Sequence, residues 1–160
     1  MKITFRTIKK EDNKEIAELI RKVFREFNIA RPGTVYFDPT TDDLYTLFGI
    51  PGAKYWIAED NGLITGGCGV YPTPGLPEGC AELVKFYLAP AYRGKGIGWQ
   101  LMEKTFESAR ENGYKQLYLE SLPELGKAIS LYERAGFKMI STHLGNSGHF
   151  GCNIWMLKDL

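Results

Sequence analysis

The sequence predicts an α/β (α+β) fold in which hairpins and a crossover share one mixed sheet, and three observations carry that reading. Apolar residues recur at helical spacing in three separate stretches, with short alternating stretches between them. A strand, helix, strand succession over residues 80–121 requires a crossover, which sets its two strands parallel. Two other strand-like runs flank Asn61-Gly62, a hairpin signal because both residues tolerate positive φ.

Each element has its own justification. "KITFRTI" alternates Ile3, Phe5 and Ile8 with polar residues and reads as a strand. Asp12 followed by Glu15 has the form of a capping pair, and Ile16, Leu19, Ile20, Val23, Phe24 and Phe27 then keep helical spacing. From Asn28 to Gly52 the chain is broken by "RPG", "DPTTDD" and "PG", and only "TDDLYTLF" suits a short helix. Such a long, aromatic-rich excursion is often a binding segment, and Tyr36 within it is a candidate for contact with a substrate. "KYWIAED" and "LITGGCGVY" form the hairpin, and "CAELVKFYLAP" is apolar enough for a central strand. Helical spacing resumes at Ile97, Leu101, Met102, Phe106 and Ala109 and stops at Asn112-Gly113, where a left-handed cap is natural. "YKQLYLES" is the next strand, with Leu117 and Leu119 on one face. Pro123 suits the start of a last helix that Gly136 caps. "FKMISTHL" and "FGCNIWMLK" close the chain as two strands around turn residues 145–148.

Composition narrows the function. At 160 residues with 44% apolar content, one domain over 1–160 is expected. Twenty basic against nineteen acidic side chains leave no footprint for nucleic acid or a membrane surface. Cys68, Cys80 and Cys152 are far apart and fit neither a zinc site nor a disulfide framework, so they read as reduced thiols and no metal is expected. With no apolar leader and no long apolar run, a cytoplasmic protein is expected, either a monomer or a homodimer.

"PAYRGKGIGWQ" joins the central strand to the second long helix. A helix start offers unpaired N–H groups and a partial positive charge, and glycines let an anion reach those amides. A dinucleotide fingerprint would need a small residue at Trp99 or Leu101, and a P-loop would need Ser or Thr after Lys95; neither is present. What remains is Arg93, two residues, Gly96, one residue, Gly98.

"ELVKFYLAPAYRGKGIGWQLM" closely resembles the acetyl-coenzyme A motif of the GNAT superfamily of N-acetyltransferases. "KQLYLES" and "AISLYERAGF" continue the likeness, the latter about forty residues beyond the glycine stretch, and the element order matches the family throughout. The resemblance implies a mostly antiparallel sheet with splayed parallel central strands, helices on both faces, and acetyl-CoA as cofactor. It also implies that the backbone at Arg93, Gly94, Lys95, Gly96, Ile97 and Gly98 holds the coenzyme A diphosphate. Backbone at Phe86, Tyr87 and Leu88 would pair with the pantetheine arm.

Acetyl transfer to an amine needs a deprotonated nitrogen and a proton for the departing thiolate. Tyr132 stands where the family commonly has a tyrosine facing the sulfur, and a phenol is protonated at neutral pH. It also belongs to the apolar stripe Ala128, Leu131, Tyr132 and Ala135, which would suit a packing role. Glu82 and Glu120, in otherwise apolar strands, are the candidate bases; Glu120 could instead hold a substrate ammonium, and either could simply pair with Lys85, Lys115 or Lys138. His149, beside the last turn, is a candidate for substrate contact. Leu125 stands where relatives often carry an Asn that contacts pantetheine, so that contact is either lost or supplied elsewhere, with Ser121 and Lys127 as candidates. The expected activity is N-acetylation of a small-molecule amine or amino-acid-like substrate. The alternatives are a peptide or protein amino group as acceptor, or a non-catalytic acyl-CoA sensor, against which Tyr132 and the two carboxylates speak.

Overall fold

Antiparallel pairing runs through most of the sheet in the computed structural model, which describes residues 1–160. The strands are β1 (Ile3–Thr7), β2 (Lys54–Asp60), β3 (Leu63–Tyr71), β4 (Cys80–Leu88), β5 (Gln116–Ser121), β6 (Lys138–Ile140) and β7 (Ile154–Asp159), in the order β1-β2-β3-β4-β5-β7-β6. The helices are α1 (Asn13–Glu26), α2 (Leu44–Leu47), α3 (Ile97–Glu111) and α4 (Gly126–Arg134), with short 3-10 turns between. Only β4 and β5 are parallel, and they pair only over Cys80–Glu82 with Gln116–Tyr118. Beyond Glu82 and Tyr118 the two strands separate, which is the splay that the resemblance implied.

Two apolar layers flank the sheet. Ala81 and Leu83 of β4 with Leu117 and Leu119 of β5 pack against Ile97, Leu101 and Met102 of α3. On the other face, Ile16, Ile20 and Phe24 of α1 pack with Ile57, Ile64 and Leu122. Burying each of the leucine, isoleucine, methionine and phenylalanine side chains contributes about 1.5–3 kcal/mol. Since side chains alternate along a strand, Glu82 and Glu120 belong to the α1 face.

A bulge interrupts β4 where it faces the opening. Gly67 pairs with Tyr87 and Gly69 with Val84, so β4 carries an extra residue there, and Lys85 has φ +52. The buried Tyr55 hydroxyl donates to the Lys85 carbonyl at 2.7 Å and holds the bulge from below. Gly67 leaves room for that ring, for a Cβ there would lie 2.5 Å from it.

Three expectations change. Asp12 does not cap α1: its carboxylate accepts from Arg6 at 2.7 and 3.0 Å and from the Lys9 backbone N–H at 2.7 Å, while Glu15 accepts from Ile64 N on β3. A local capping pattern was thus diverted to tertiary partners. Pro123 lies in the turn before α4, which starts at Gly126. The last hairpin is mostly not strand: β6 spans three residues, and residues 141–153 leave the sheet to reach other loops. Asn146 N donates to Pro74 O and Gly151 N to Gly33 O, contacts between distant segments that no local pattern foretells.

Candidate active site

A cavity of about 1100 Å³ runs from the start of α3 along the open edge of β4 to the fork between β4 and β5. Among the residues that line it are Phe86, Tyr87, Leu88, Arg93, Gly94, Gly96 and Gly98 at one end and Glu82, Lys85, Glu120 and His149 at the other. Its size suits an elongated ligand.

The glycine end is built to receive an anion. Backbone N–H groups from Gly94 to Trp99 donate to no carbonyl in the chain. Gly94 and Gly96 have φ +73 and +80, and a Cβ on either would meet nothing within 4 Å. The space beside them is open, as a ligand would require. Gly98 has an internal reason, since a Cβ there would lie 3.1 Å from the Phe86 ring. Lys95 extends over the Tyr92 ring and Ile97 points into the core, so these two offer backbone rather than side chains. Arg93 donates from Nε to Leu88 O at 2.9 Å and pairs through both terminal nitrogens with Glu26 at the end of α1. Lys127 and Arg134 add cationic groups to the lining. Free amides, an unobstructed approach and nearby cations fit the diphosphate of coenzyme A, and the unpaired β4 edge fits its amide-bearing arm.

At the fork, Glu82 is 3% exposed and accepts from the Thr73 hydroxyl at 2.6 Å. Burial raises its pKa to about 7, with Glu120 adding to the rise and Thr73 opposing it. Glu120 accepts from the Tyr118 hydroxyl at 2.7 Å and from the Ser147 hydroxyl. Neither carboxylate forms an ion pair with a lysine. His149 Nε2 lies 2.8 Å from Oδ2 of Asp38, whose carboxyl the histidine holds well below its usual range. An ionised carboxylate only accepts, so Nε2 carries the shared proton. His149 N also donates to Ser147 Oγ at 3.1 Å, which links the histidine to Glu120.

Tyr132 is buried between Phe86 and Phe137, with ring centroids 5.9 and 5.8 Å away, and its hydroxyl bonds to no other residue. No buried polar side-chain atom is both sealed and unpaired, so that hydroxyl must open on the cavity that Tyr132 lines. Burial, and to a lesser degree Cys68, push its pKa above the ordinary phenol value, and the proton stays on. Leu125 lines the cavity at the α4 cap, with Ser121 and Lys127 beside it. Tyr36 lies outside the lining: its hydroxyl accepts from Arg25, its ring packs near Phe24, and its neighbour Val35 borders the cavity instead. Lys85, Asp38 and Ser147 were not singled out in the sequence as functional. Lys85 alone had a signal, as a lysine inside the apolar run "ELVKFYL".

Parallel strands that part beside a glycine-lined helix start, with ionisable groups at their fork, place this chain among the acyltransferases. The family model described as acetyltransferase (GNAT) family matches residues 15–137, and the chain belongs to that family. The uncharacterized N-acetyltransferase YjgM of Escherichia coli is 42% identical over 151 residues, 94% of this chain and 90% of that protein. An acetyltransferase of the GNAT family from Staphylococcus aureus superimposes with a TM-score of 0.89 at 21% identity, covering 99% of both chains. A Salmonella typhimurium protein, yncA, solved with its cofactor acetyl-CoA, has a TM-score of 0.77 at 22% identity over 100% of this chain and 95% of that one. No helix is long and apolar enough to cross a membrane.

Proposed function

We propose that the chain acetylates the primary amine of a small molecule, using acetyl-CoA bound in the cavity between β4 and β5. The observation that carries the reading is Glu82, a carboxyl buried at the fork on the cavity wall with the Thr73 hydroxyl as its one partner. An alkyl ammonium of pKa about 10.4 lies about six units above an ordinary carboxylate. With Glu82 at about 7 the gap falls to about three, within reach of proton transfer in a closed site.

When bound, acetyl-CoA supplies an acetyl group activated as a thioester. The free amides of Gly94 to Gly98 would hold its diphosphate, the Arg93 N–H being donated to Pro90 O, and the backbone at Phe86, Tyr87 and Leu88 would orient its arm. Ser121 and Lys127 stand in for the side-chain contact that Leu125 cannot make. Glu82 takes the proton from the acceptor nitrogen; Glu120, fixed by Tyr118 and Ser147, steadies the ammonium before that step, and His149 walls the acceptor end. As the C–S bond breaks, Tyr132 would give its Oη proton to the departing sulfur and recover one from the second N–H that the acylated nitrogen sheds. Transfer is direct, because the one cysteine on the cavity, Cys152, has its thiol pushed up to about 12 by burial and then by Glu120 and Glu82, and holds no thiolate at neutral pH.

The test is thiol release from acetyl-CoA across a panel of amines and peptides. Release with one or a few small amines supports the reading. Release only with peptides would move the acceptor to protein amino groups, and tight coenzyme A binding without release would make the domain a sensor.

A further inference from the structure

Lys85 has no assigned part in acetyl transfer, yet its placement is unusual. Its residue is 7% exposed, and its ammonium has neither a hydrogen bond nor an ion pair within the chain. A lysine so deeply placed is normally paired, because an isolated buried charge is costly. The acidic groups near it are already engaged: Asp38 with His149 and Thr40, and Glu82 with Thr73. Since no sealed polar atom lacks a partner, the Lys85 ammonium must reach open space, and the space it borders is the cavity.

The backbone is committed to this placement. Lys85 is the bulged residue of β4 at φ +52, a region that side-chain-bearing residues seldom occupy, and a buried tyrosine hydroxyl fixes its carbonyl. Strain held in place by surrounding structure is a mark of functional positions.

Resting on the acetyl-transfer reading above, we propose that the acceptor is an amino acid whose carboxylate binds the Lys85 ammonium while its amine faces Glu82 and Glu120. With Asp38 held by His149, the Lys85 cation faces the carboxylate of such a ligand, and the Glu82 and Glu120 carboxyl groups face its amine. A phosphate, carrying more negative charge, would be repelled by Asp38 and Glu120. Val35, Leu122 and Cys152 supply an apolar wall at the same end for a side chain.

The experiment compares each standard L-amino acid with its amide and its decarboxylated amine as acceptors, reading kcat/KM by thiol release. The expected result is at least a tenfold preference for one or more amino acids over the matching amide, expressed mainly in KM. Lys85→Met should bring that ratio toward one, and Lys85→Arg should keep part of it. The wild-type ratio stands even if a variant does not fold. Equal use of amino acid, amide and amine by the wild type would overturn the carboxylate assignment and leave acetyl transfer to amines intact. Release with no amine at all would remove both.

Discussion

Replacing Glu82 with Gln removes a buried carboxyl while keeping its size and its oxygen as an acceptor for Thr73. In the folded chain burial is the main reason that the group titrates near 7, against 4.5 for its ordinary value. Between those two pH values the folded protein holds a proton that the unfolded chain has released. The contribution of Glu82 to stability is therefore complete below about 4.5, falls as pH rises, and levels off above about 7. At about 1.4 kcal/mol for each tenfold change in proton affinity, the wild type should lose about 3 kcal/mol relative to Glu82→Gln across that window. Urea unfolding of both proteins from pH 4.5 to 8, with equal slopes, reads the difference directly. Glu82→Gln should be the more stable protein at pH 8, and its turnover should be lower by about 100- to 10,000-fold if Glu82 is the base. Stability curves that run parallel across the window would show that the carboxyl titrates normally and would withdraw its assignment as the base.

Other consequences follow from single contacts. Tyr132→Phe removes a hydroxyl with no partner in the chain, so the thermal midpoint should hold while the single-turnover rate drops by about 100- to 10,000-fold; an unchanged rate would leave solvent as the proton donor. Glu26→Gln removes a carboxylate that pairs with Arg93 at the mouth of the glycine cradle. It should tighten coenzyme A binding, by a factor that shrinks as salt is added, and weaker binding would mean that the pair positions Arg93 for the ligand.

Local patterns made the frame legible and left the acceptor end largely hidden. Alternation and helical spacing located β1, α1 and α3, whose apolar residues turn to the core, and the Asn61-Gly62 turn, at φ +48 and +86, located the β2–β3 hairpin. The glycine stretch was readable because its constraint is local: left-handed backbone at Gly94 and Gly96, and close packing at Gly98. Glu82 and Glu120 stood out as charges in apolar strands. Their surroundings did not, for Thr73, Ser147 and Asp38 arrive from three separate loops. The segment 141–153 misled for the same reason: its partners are Pro74, Gly33, Tyr118 and Glu120, all far away in sequence. Asp12 shows a local signal overruled, since the Arg6 guanidinium offers its carboxylate a stronger, charge-assisted partner than helix amides do.

Whether acetyl-CoA sits on the glycine cradle can be decided by thermal unfolding with and without coenzyme A, in the wild type and in Gly96→Asn. Asparagine tolerates the left-handed backbone at this position, and its Cβ meets no neighbouring atom, so the variant should fold. Coenzyme A at a hundredfold excess over its dissociation constant should stabilise the wild type by about 2.7 kcal/mol. The asparagine side chain would occupy the space that the diphosphate needs, and the shift should vanish in a variant that is otherwise folded. An equal shift in both proteins would place the cofactor somewhere other than the start of α3.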